Sequence, residues 1–189
     1  FNSSAYIKKY EAAFADISAF LLTIEAPKYP FPIDRSLAAR GQGLYVEHCA
    51  KCHGTNGPDG KYPNKIVPLD VIGTDRSRFD GISKRFGEHY NRSWFAQEKS
   101  SEVRNFSQTP GYQAPPLDGV WATAPYFHNG SAPTIYHVLN SKARPRIFTR
   151  SYRTDLDAYD PVKLGWKIQV LEQPPDSTEP AYERRKVYD

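Results

Sequence analysis

Cys49-Ala50-Lys51-Cys52-His53 holds both cysteines of this 189-residue chain. The spacing Cys-x-x-Cys-His is the attachment signature of a c-type haem. Two thiols three positions apart on a helical turn reach the two vinyl groups of one porphyrin and form thioethers, and the histidine that follows offers an imidazole nitrogen to the iron. The stretch therefore predicts one covalent haem c, bound by Cys49 and Cys52 with His53 as the proximal iron ligand, and the redox chemistry that haem supplies.

Two other chemistries also use closely spaced cysteines. A zinc site needs four ligands, so a second pair would have to come from scattered histidines, and His53 is poorly placed to be one of them. A thioredoxin-like dithiol is expected within a βαβ unit, which the sequence does not show. The flanks, glycine-containing residues 40–45 and Gly54, favour a haem site over a chance match.

Composition favours an exported globular protein. Hydrophobic residues make up 39% of the chain, and no apolar run approaches the roughly 18 residues of a membrane span. Because covalent haem attachment takes place outside the bacterial cytoplasm and Phe1 is not an initiator, we expect a periplasmic or otherwise exported chain that is a processed product or a fragment. The net charge of +4 would steer the chain toward an acidic redox partner, but ordinary solubility is the favoured explanation. Basic and acidic residues are interleaved, which argues against nucleic acid as a partner.

Hydrophobic periodicity predicts two helices before the haem motif. Apolar residues at three- and four-residue steps predict a helix over residues 5–25 with a core-facing stripe. Among the members of that stripe are Tyr6, Tyr10, Phe14, Ile17 and Leu21. Three prolines make residues 26–32 an extended linker, and a second helix over residues 36–48 leads directly into the motif.

Signals after the motif are weaker. Residues 54–81 are rich in Gly, Pro, Asn and Asp, which predicts a loop around the haem edge. Short helices are predicted within residues 82–94 and over residues 134–139, and short extended segments at 146–153 and 167–171 predict a minor hairpin. The predicted fold class is mainly α: a cytochrome c-like haem domain with long loops and an extra N-terminal helix.

Longer stretches of the chain resemble one group of proteins. Residues 40–54, RGQGLYVEHCAKCHG, resemble the haem helix of a cytochrome c. Residues 114–131, APPLDGVWATAPYFHNGS, resemble the C-terminal haem region of bacterial di-haem cytochrome c peroxidases and their relatives, the rubber oxygenases. Residues 144–148, RPRIF, and 160–165, DPVKLG, are similar to elements of the members nearest the rubber oxygenases. Those proteins carry two haem motifs, whereas this chain carries one.

The resemblance implies a division of the chain. Residues 1–33, a helix and a proline linker, are similar to the closing helix of an upstream haem domain. Residues 34–189 are expected to form the cytochrome c-like haem domain, without the Gly-His-x-Phe-Gly segment and the final helix that many relatives have. The catalytic haem of the related enzymes commonly lies in the other half, so the resemblance leaves open whether this chain is an enzyme.

The sixth iron ligand separates electron transfer from catalysis. Methionine is excluded within this chain, which has none. His128 ranks first because it follows Pro125 on a loop and precedes an Asn-Gly turn, although the matching histidine of the peroxidases is not a ligand. His137, within the predicted helix over residues 134–139, ranks second. The alternatives are His89, a ligand beyond Asp189, or an open site.

Aromatic residues make up 14% of the chain and are candidates for the walls of a haem pocket, where they would exclude water. The candidates are Tyr45, Trp94, Trp121, Tyr126 and Phe127.

These observations favour electron transfer through one haem with two axial histidines. An alternative is a haem-dependent peroxidase or oxygenase subunit, which would need an open distal site with an acid or base such as His128 or Glu88. A third hypothesis is one unit of a larger multi-haem assembly. The predicted partner is accordingly a redox protein or a neighbouring haem domain or subunit.

Overall fold

The computed structural model describes the following residues: 4–57, 59–93, 96, 106–107, 109–173 and 187–188. Of these residues, 41% are helical and 14% lie in strands that form several small sheets. The prediction of a mainly α fold is therefore wrong, and the chain is mixed α and β. The physical reason is that segments predicted as loops pair with distant segments as short antiparallel ladders. No helix among the described residues is long and apolar enough to span a bilayer.

The chain forms two compact units. The first comprises Phe1–Ala26 and Ala39–Pro116, and the second comprises Pro27–Ala38 and Leu117–Asp189. The predicted division into residues 1–33 and 34–189 stays a prediction.

The first unit contains short helices, most of one longer helix and one strand pair. In chain order its elements are α1 (Ser4–Lys8), α2 (Glu11–Leu21), α3 (Arg35–His48, which begins in the second unit), α4 (Ala50–His53), β1 (Ile66–Pro68), α5 (Leu69–Ile72), α6 (Ser77–Asp80), α7 (Lys84–Arg92) and β2 (Gly111–Gln113). β1 and β2 are antiparallel, with Val67 opposite Tyr112. The predicted loop over residues 54–81 thus contains β1, α5 and α6.

The predicted helix over residues 5–25 is interrupted after Lys8 and resumes at Glu11. Its apolar stripe does not face a core, because α2 has no buried residue and Phe14 and Ile17 are 42% and 53% exposed. The core-facing interpretation is therefore wrong for the described residues. The spacing of the apolar residues predicts that they share one face of a helix, but it does not predict that another element covers that face.

Helix α3 lies close to its prediction over residues 36–48. It follows Asp34, whose carboxylate accepts a hydrogen bond from the Leu37 N–H at 2.9 Å and so caps the first turn. Helix α7 confirms the short helix predicted within residues 82–94. The Ser83 hydroxyl caps α7 by accepting from the Phe86 N–H at 3.2 Å.

The second unit holds one short helix, three 3₁₀ turns and five strands among the described residues. In chain order these are the 3₁₀ turn Val120–Ala122, α8 (Ile135–Leu139), the turn Ser141–Ala143, β3 (Ile147–Arg150), the turn Leu156–Ala158, β4 (Tyr159–Asp160), β5 (Gly165–Trp166), β6 (Ile168–Leu171) and β7 (Val187–Tyr188). α8 confirms the helix predicted over residues 134–139. β3 pairs with β6 antiparallel, Ile147 opposite Leu171, which confirms the predicted hairpin segments.

The most deeply buried side chains of the second unit lie on β3 and on the segment before α8. Phe148 on β3 is 1% exposed, and Ala132 and Thr134 are buried as well. Residues 160–165 close over the start of α8, since the carbonyls of Lys163 and Leu164 accept from the Tyr136 and Ile135 N–H groups. Gly165 permits this approach, because a Cβ there would lie 2.5 Å from the Pro133 carbonyl oxygen.

Residues of the predicted proline linker pack against aromatic side chains of the second unit. The Phe31 ring stacks on Tyr159, with centroids 5.6 Å apart and planes inclined by 13°. The Tyr29 ring meets Trp121 edge-on at 5.7 Å. Residues 26–32 thus form neither a helix nor a strand, and aromatic contacts hold this segment.

Candidate haem site

The cysteine motif folds as a single turn. The Cys49 N–H donates to the Tyr45 carbonyl at 2.8 Å, and the His53 N–H donates to the Cys49 carbonyl at 3.0 Å. Tyr45, Cys49 and His53 thus follow one another at four-residue steps. Both thiols are half-buried and neither forms a disulfide. The turn therefore presents two free thiols and an imidazole together.

The His53 ring has a fixed orientation. Its Nδ1 lies 2.8 Å from the carbonyl oxygen of Pro115. A carbonyl only accepts hydrogen bonds, so Nδ1 carries the proton and donates it. In the neutral form of this ring the lone pair therefore lies on Nε2, the atom that can bind a metal.

The Pro115 carbonyl is positioned by the β1–β2 pair. The Ala114 N–H donates to the Lys65 carbonyl at 2.9 Å and extends that ladder by one step. The Ala114 carbonyl accepts from the Tyr62 hydroxyl at 2.6 Å. The amide nitrogen of Gln113 donates in turn to the Tyr62 hydroxyl oxygen at 2.9 Å. The segment entering Pro115 is thereby held through both backbone groups of Ala114.

Gly54 turns the chain immediately after His53. Its φ is +86°, in the left-handed region that glycine favours, and a Cβ there would lie 2.6 Å from the Lys61 carbonyl oxygen. The Gly54 carbonyl accepts from the Tyr45 hydroxyl at 2.8 Å. The motif is therefore anchored to the helix that precedes it.

The donor set fits a covalently bound haem. Two free thiols lie one turn apart, and the adjacent imidazole has a free Nε2. Helix α3 has no buried residue, and Leu44 and Val46 are 59% and 56% exposed, so apolar surface is available beside the motif. Across the described ranges, no group of three or more His, Cys, Asp or Glu side chains is placed to hold a metal ion, which leaves the zinc alternative without a ligand set there.

The predicted distal ligands both lie in the second unit, whereas His53 lies in the first. His128 is half-buried on a loop that follows a cis Ala124–Pro125 bond and Phe127, whose φ is +65°. The assignments of His128 and His137 as iron ligands stay predictions.

His137 lies on α8 and is buried. Its Nδ1 lies 2.7 Å from the Thr134 Oγ1, and its backbone N–H donates to the same oxygen at 3.3 Å. Burial lowers the pKa of His137, and the cations of Lys163 and Arg144 lower it further, against a smaller opposing effect of Asp160. The ring is therefore neutral at pH 7, which is the form that binds a metal.

The remaining candidates for ligand or acid are exposed. His89 lies on α7 at the surface. Glu88 is exposed too, and its carboxylate lies 3.9 Å from Lys84 and 3.9 Å from Arg92. Neither side chain is enclosed in a pocket that would exclude water from a reacting group.

Among the predicted wall residues that the structure describes, Tyr45 alone lies in the same unit as the motif. The Trp121 indole donates to the Pro27 carbonyl at 2.8 Å, and the Tyr126 hydroxyl donates to the Val120 carbonyl at 2.9 Å. Burial raises the pKa of Tyr126, and Tyr159 adds to that effect. Phe127 is 46% exposed, with the Arg144 guanidinium 4.9 Å from its ring centre. Trp94 lies outside the described residues.

Sequence reasoning missed Pro115 and Tyr62. Pro115 had a usable signal, because it begins a Pro-Pro pair whose residues cannot donate to a ladder and whose carbonyls remain available as acceptors. Tyr62 had none, since its partner Ala114 lies 52 positions further along the chain.

Part of the chain matches the model of one protein family. Residues 111–149 match the model of a family described as RoxA-like, cytochrome c-like. The matched segment includes β2, Pro115 and the loop of His128, and it confirms the predicted resemblance to RoxA-like c-type cytochromes. The match supports a c-type haem protein.

Two curated proteins of Sinorhizobium fredii (strain NBRC 101917 / NGR234) are similar to the chain. Uncharacterized protein y4iM is 32% identical in an alignment 199 residues long, and this alignment covers 90% of this chain and 43% of that protein. Uncharacterized protein y4iJ is 29% identical in an alignment 190 residues long, and this alignment covers 74% of this chain and 31% of that protein. The chain thus spans less than half the length of these relatives.

Proposed function

We propose that the chain transfers electrons through one haem c attached at Cys49 and Cys52. The hydrogen bond from His53 Nδ1 to the Pro115 carbonyl carries this proposal, because it leaves Nε2 as the proximal iron ligand. The bound group supplies one-electron chemistry, and the protein attaches it, orients its histidine and covers it from water.

The distal ligand is His128 or His137 in this proposal. His137 has the stronger structural support, since its ring is neutral and held by Thr134. A ligand on each face of the iron leaves no position for substrate, which favours electron transfer over catalysis.

The peroxidase or oxygenase alternative needs an open iron site and a positioned acid or base. Glu88 does not fit that role, because it is exposed and lies near two cations. His128 remains its best candidate. A larger multi-haem assembly is compatible with electron transfer, and the proposed redox partner is a redox protein or a neighbouring haem domain or subunit. Covalent haem attachment further supports an exported protein.

Low-temperature electron paramagnetic resonance of the ferric protein tests the proposal. We expect low-spin iron in the native chain, and high-spin iron in either His128→Ala or His137→Asn, whichever removes the ligand. His89→Ala is the matched control and should leave the spectrum unchanged, because that side chain is exposed on α7. High-spin iron in the native chain, with rapid cyanide binding, would contradict electron transfer and favour the enzyme.

A further inference from the structure

We infer that Tyr45 and Tyr62 are positioning residues for the proximal ligand and that their hydroxyls set the reduction potential of the iron. Each hydroxyl holds one of the two backbone segments that the His53–Pro115 hydrogen bond connects. The inference rests on the proposed haem attachment, and it assigns to two tyrosines a role beyond packing.

Tyr45 holds the segment that carries His53. Its hydroxyl donates to the carbonyl of Gly54, the residue directly after the ligand, at 2.8 Å. That carbonyl lies at the end of α4, where helix geometry provides no donor. Because Tyr45 is on α3, the hydroxyl ties the end of the motif to the helix before it.

Tyr62 holds the segment that carries the acceptor. Its hydroxyl donates to the Ala114 carbonyl at 2.6 Å, while the Ala114 N–H is bound to Lys65 at 2.9 Å. The proline ring fixes φ at Pro115, so ψ of Pro115 is the one soft dihedral between the held Ala114 carbonyl and the Pro115 carbonyl. Gln113 donates to the Tyr62 oxygen and so directs the hydroxyl proton toward Ala114.

The strength of the His53–Pro115 hydrogen bond controls the iron through the imidazole. A good acceptor on Nδ1–H makes the ring a more basic ligand, which favours ferric over ferrous iron and lowers the potential. Hydrogen bonds weaken steeply as distance and angle depart from the optimum. Loosening either segment should therefore raise the potential, whereas a packing role alone would change stability and leave the potential unchanged.

The test uses substitutions that delete one hydroxyl and keep the ring. Tyr45→Phe, Tyr62→Phe and the double variant are made in the full chain, with the potential measured by spectroelectrochemistry and thermal stability measured in parallel. Tyr112→Phe is the matched control, because Tyr112 lies in the same unit on β2 and its hydroxyl donates to the Asp75 carbonyl at 3.3 Å. Each test variant should shift the reduction equilibrium toward ferrous iron by up to about tenfold, or about 59 mV for one electron.

The outcomes separate the possible failures. A potential that rises in both test variants and not in Tyr112→Phe supports the inference. Unchanged potentials, or an equal rise in Tyr112→Phe, would overturn it while leaving haem attachment intact. If Tyr62→Phe fails to fold, Gln113→Leu replaces it and should raise the potential by a smaller amount, and no rise there would overturn the inference too. Native protein whose mass lacks a covalent haem would instead refute the proposed function.

Discussion

Thr134→Val should destabilise the second unit far more than its small chemical change suggests. Thr134 is 1% exposed, and its Oγ1 caps α8 by accepting from the His137 N–H and also meets Nδ1 of the His137 ring at 2.7 Å. Valine has nearly the same shape, so it fills the space while removing both interactions. What remains is a buried imidazole nitrogen without its Thr134 partner and a helix that has lost its side-chain cap, although the His137 N–H keeps its bond to the Thr134 carbonyl at 3.0 Å.

The magnitude follows from those two losses. Loss of an N-cap oxygen costs about 1 kcal/mol. A buried polar group left without a partner costs about 1–3 kcal/mol. We therefore expect the free energy of unfolding to fall by about 2–4 kcal/mol, as measured by urea denaturation of the full chain followed by circular dichroism.

Thr123→Val is the matched control. Thr123 is exposed, and its hydroxyl donates a hydrogen bond to the Val120 carbonyl at 2.9 Å. We therefore expect the free energy of unfolding to change by no more than about 0.5 kcal/mol. Equal effects of the two substitutions would refute the argument, because it depends on burial of the Thr134–His137 pair. If His137 is the distal ligand, Thr134→Val should also change the ferric spectrum.

Gly165→Ala should lower the free energy of unfolding by about 1–3 kcal/mol, because its Cβ would lie 2.5 Å from the Pro133 carbonyl oxygen; thermal melting measures this, with Gly41→Ala, which meets nothing within 4 Å, as a neutral or stabilising control. Acidification should destabilise the fold through His137. Its pKa is lower in the folded than in the unfolded chain, so the unfolded chain binds more protons below about pH 6.5. The free energy of unfolding is then highest above that pH and falls as the pH drops below it. Denaturation of the native chain and of His137→Asn at several pH values checks this. An equal dependence of the free energy of unfolding on pH in the two proteins would contradict it.

The haem motif was legible from the sequence because its chemistry is local. Cys49, Cys52 and His53 lie within one helical turn, and neighbouring residues decide their geometry. The hairpin segments around Ile147 and Ile168 were also predictable, since each has its own extended pattern.

The remaining features depend on contacts between distant parts of the chain. The sequence of Ile66–Pro68 does not predict a strand, because the segment ends in a proline. The segment is a strand because it pairs with Gly111–Gln113. The same pairing places Pro115 beside His53. The apolar stripe on α2 shows that even a correctly predicted helix need not bury its apolar face, because an amphipathic pattern does not specify whether a partner covers that face.

Intact-protein mass spectrometry under denaturing conditions tests the central claim most directly. The account predicts the mass of the chain plus one haem in the native protein, and the mass of the chain alone in the Cys49→Ser, Cys52→Ser double variant. A native protein that shows only the mass of the polypeptide after maturation with the haem-attachment machinery would contradict it.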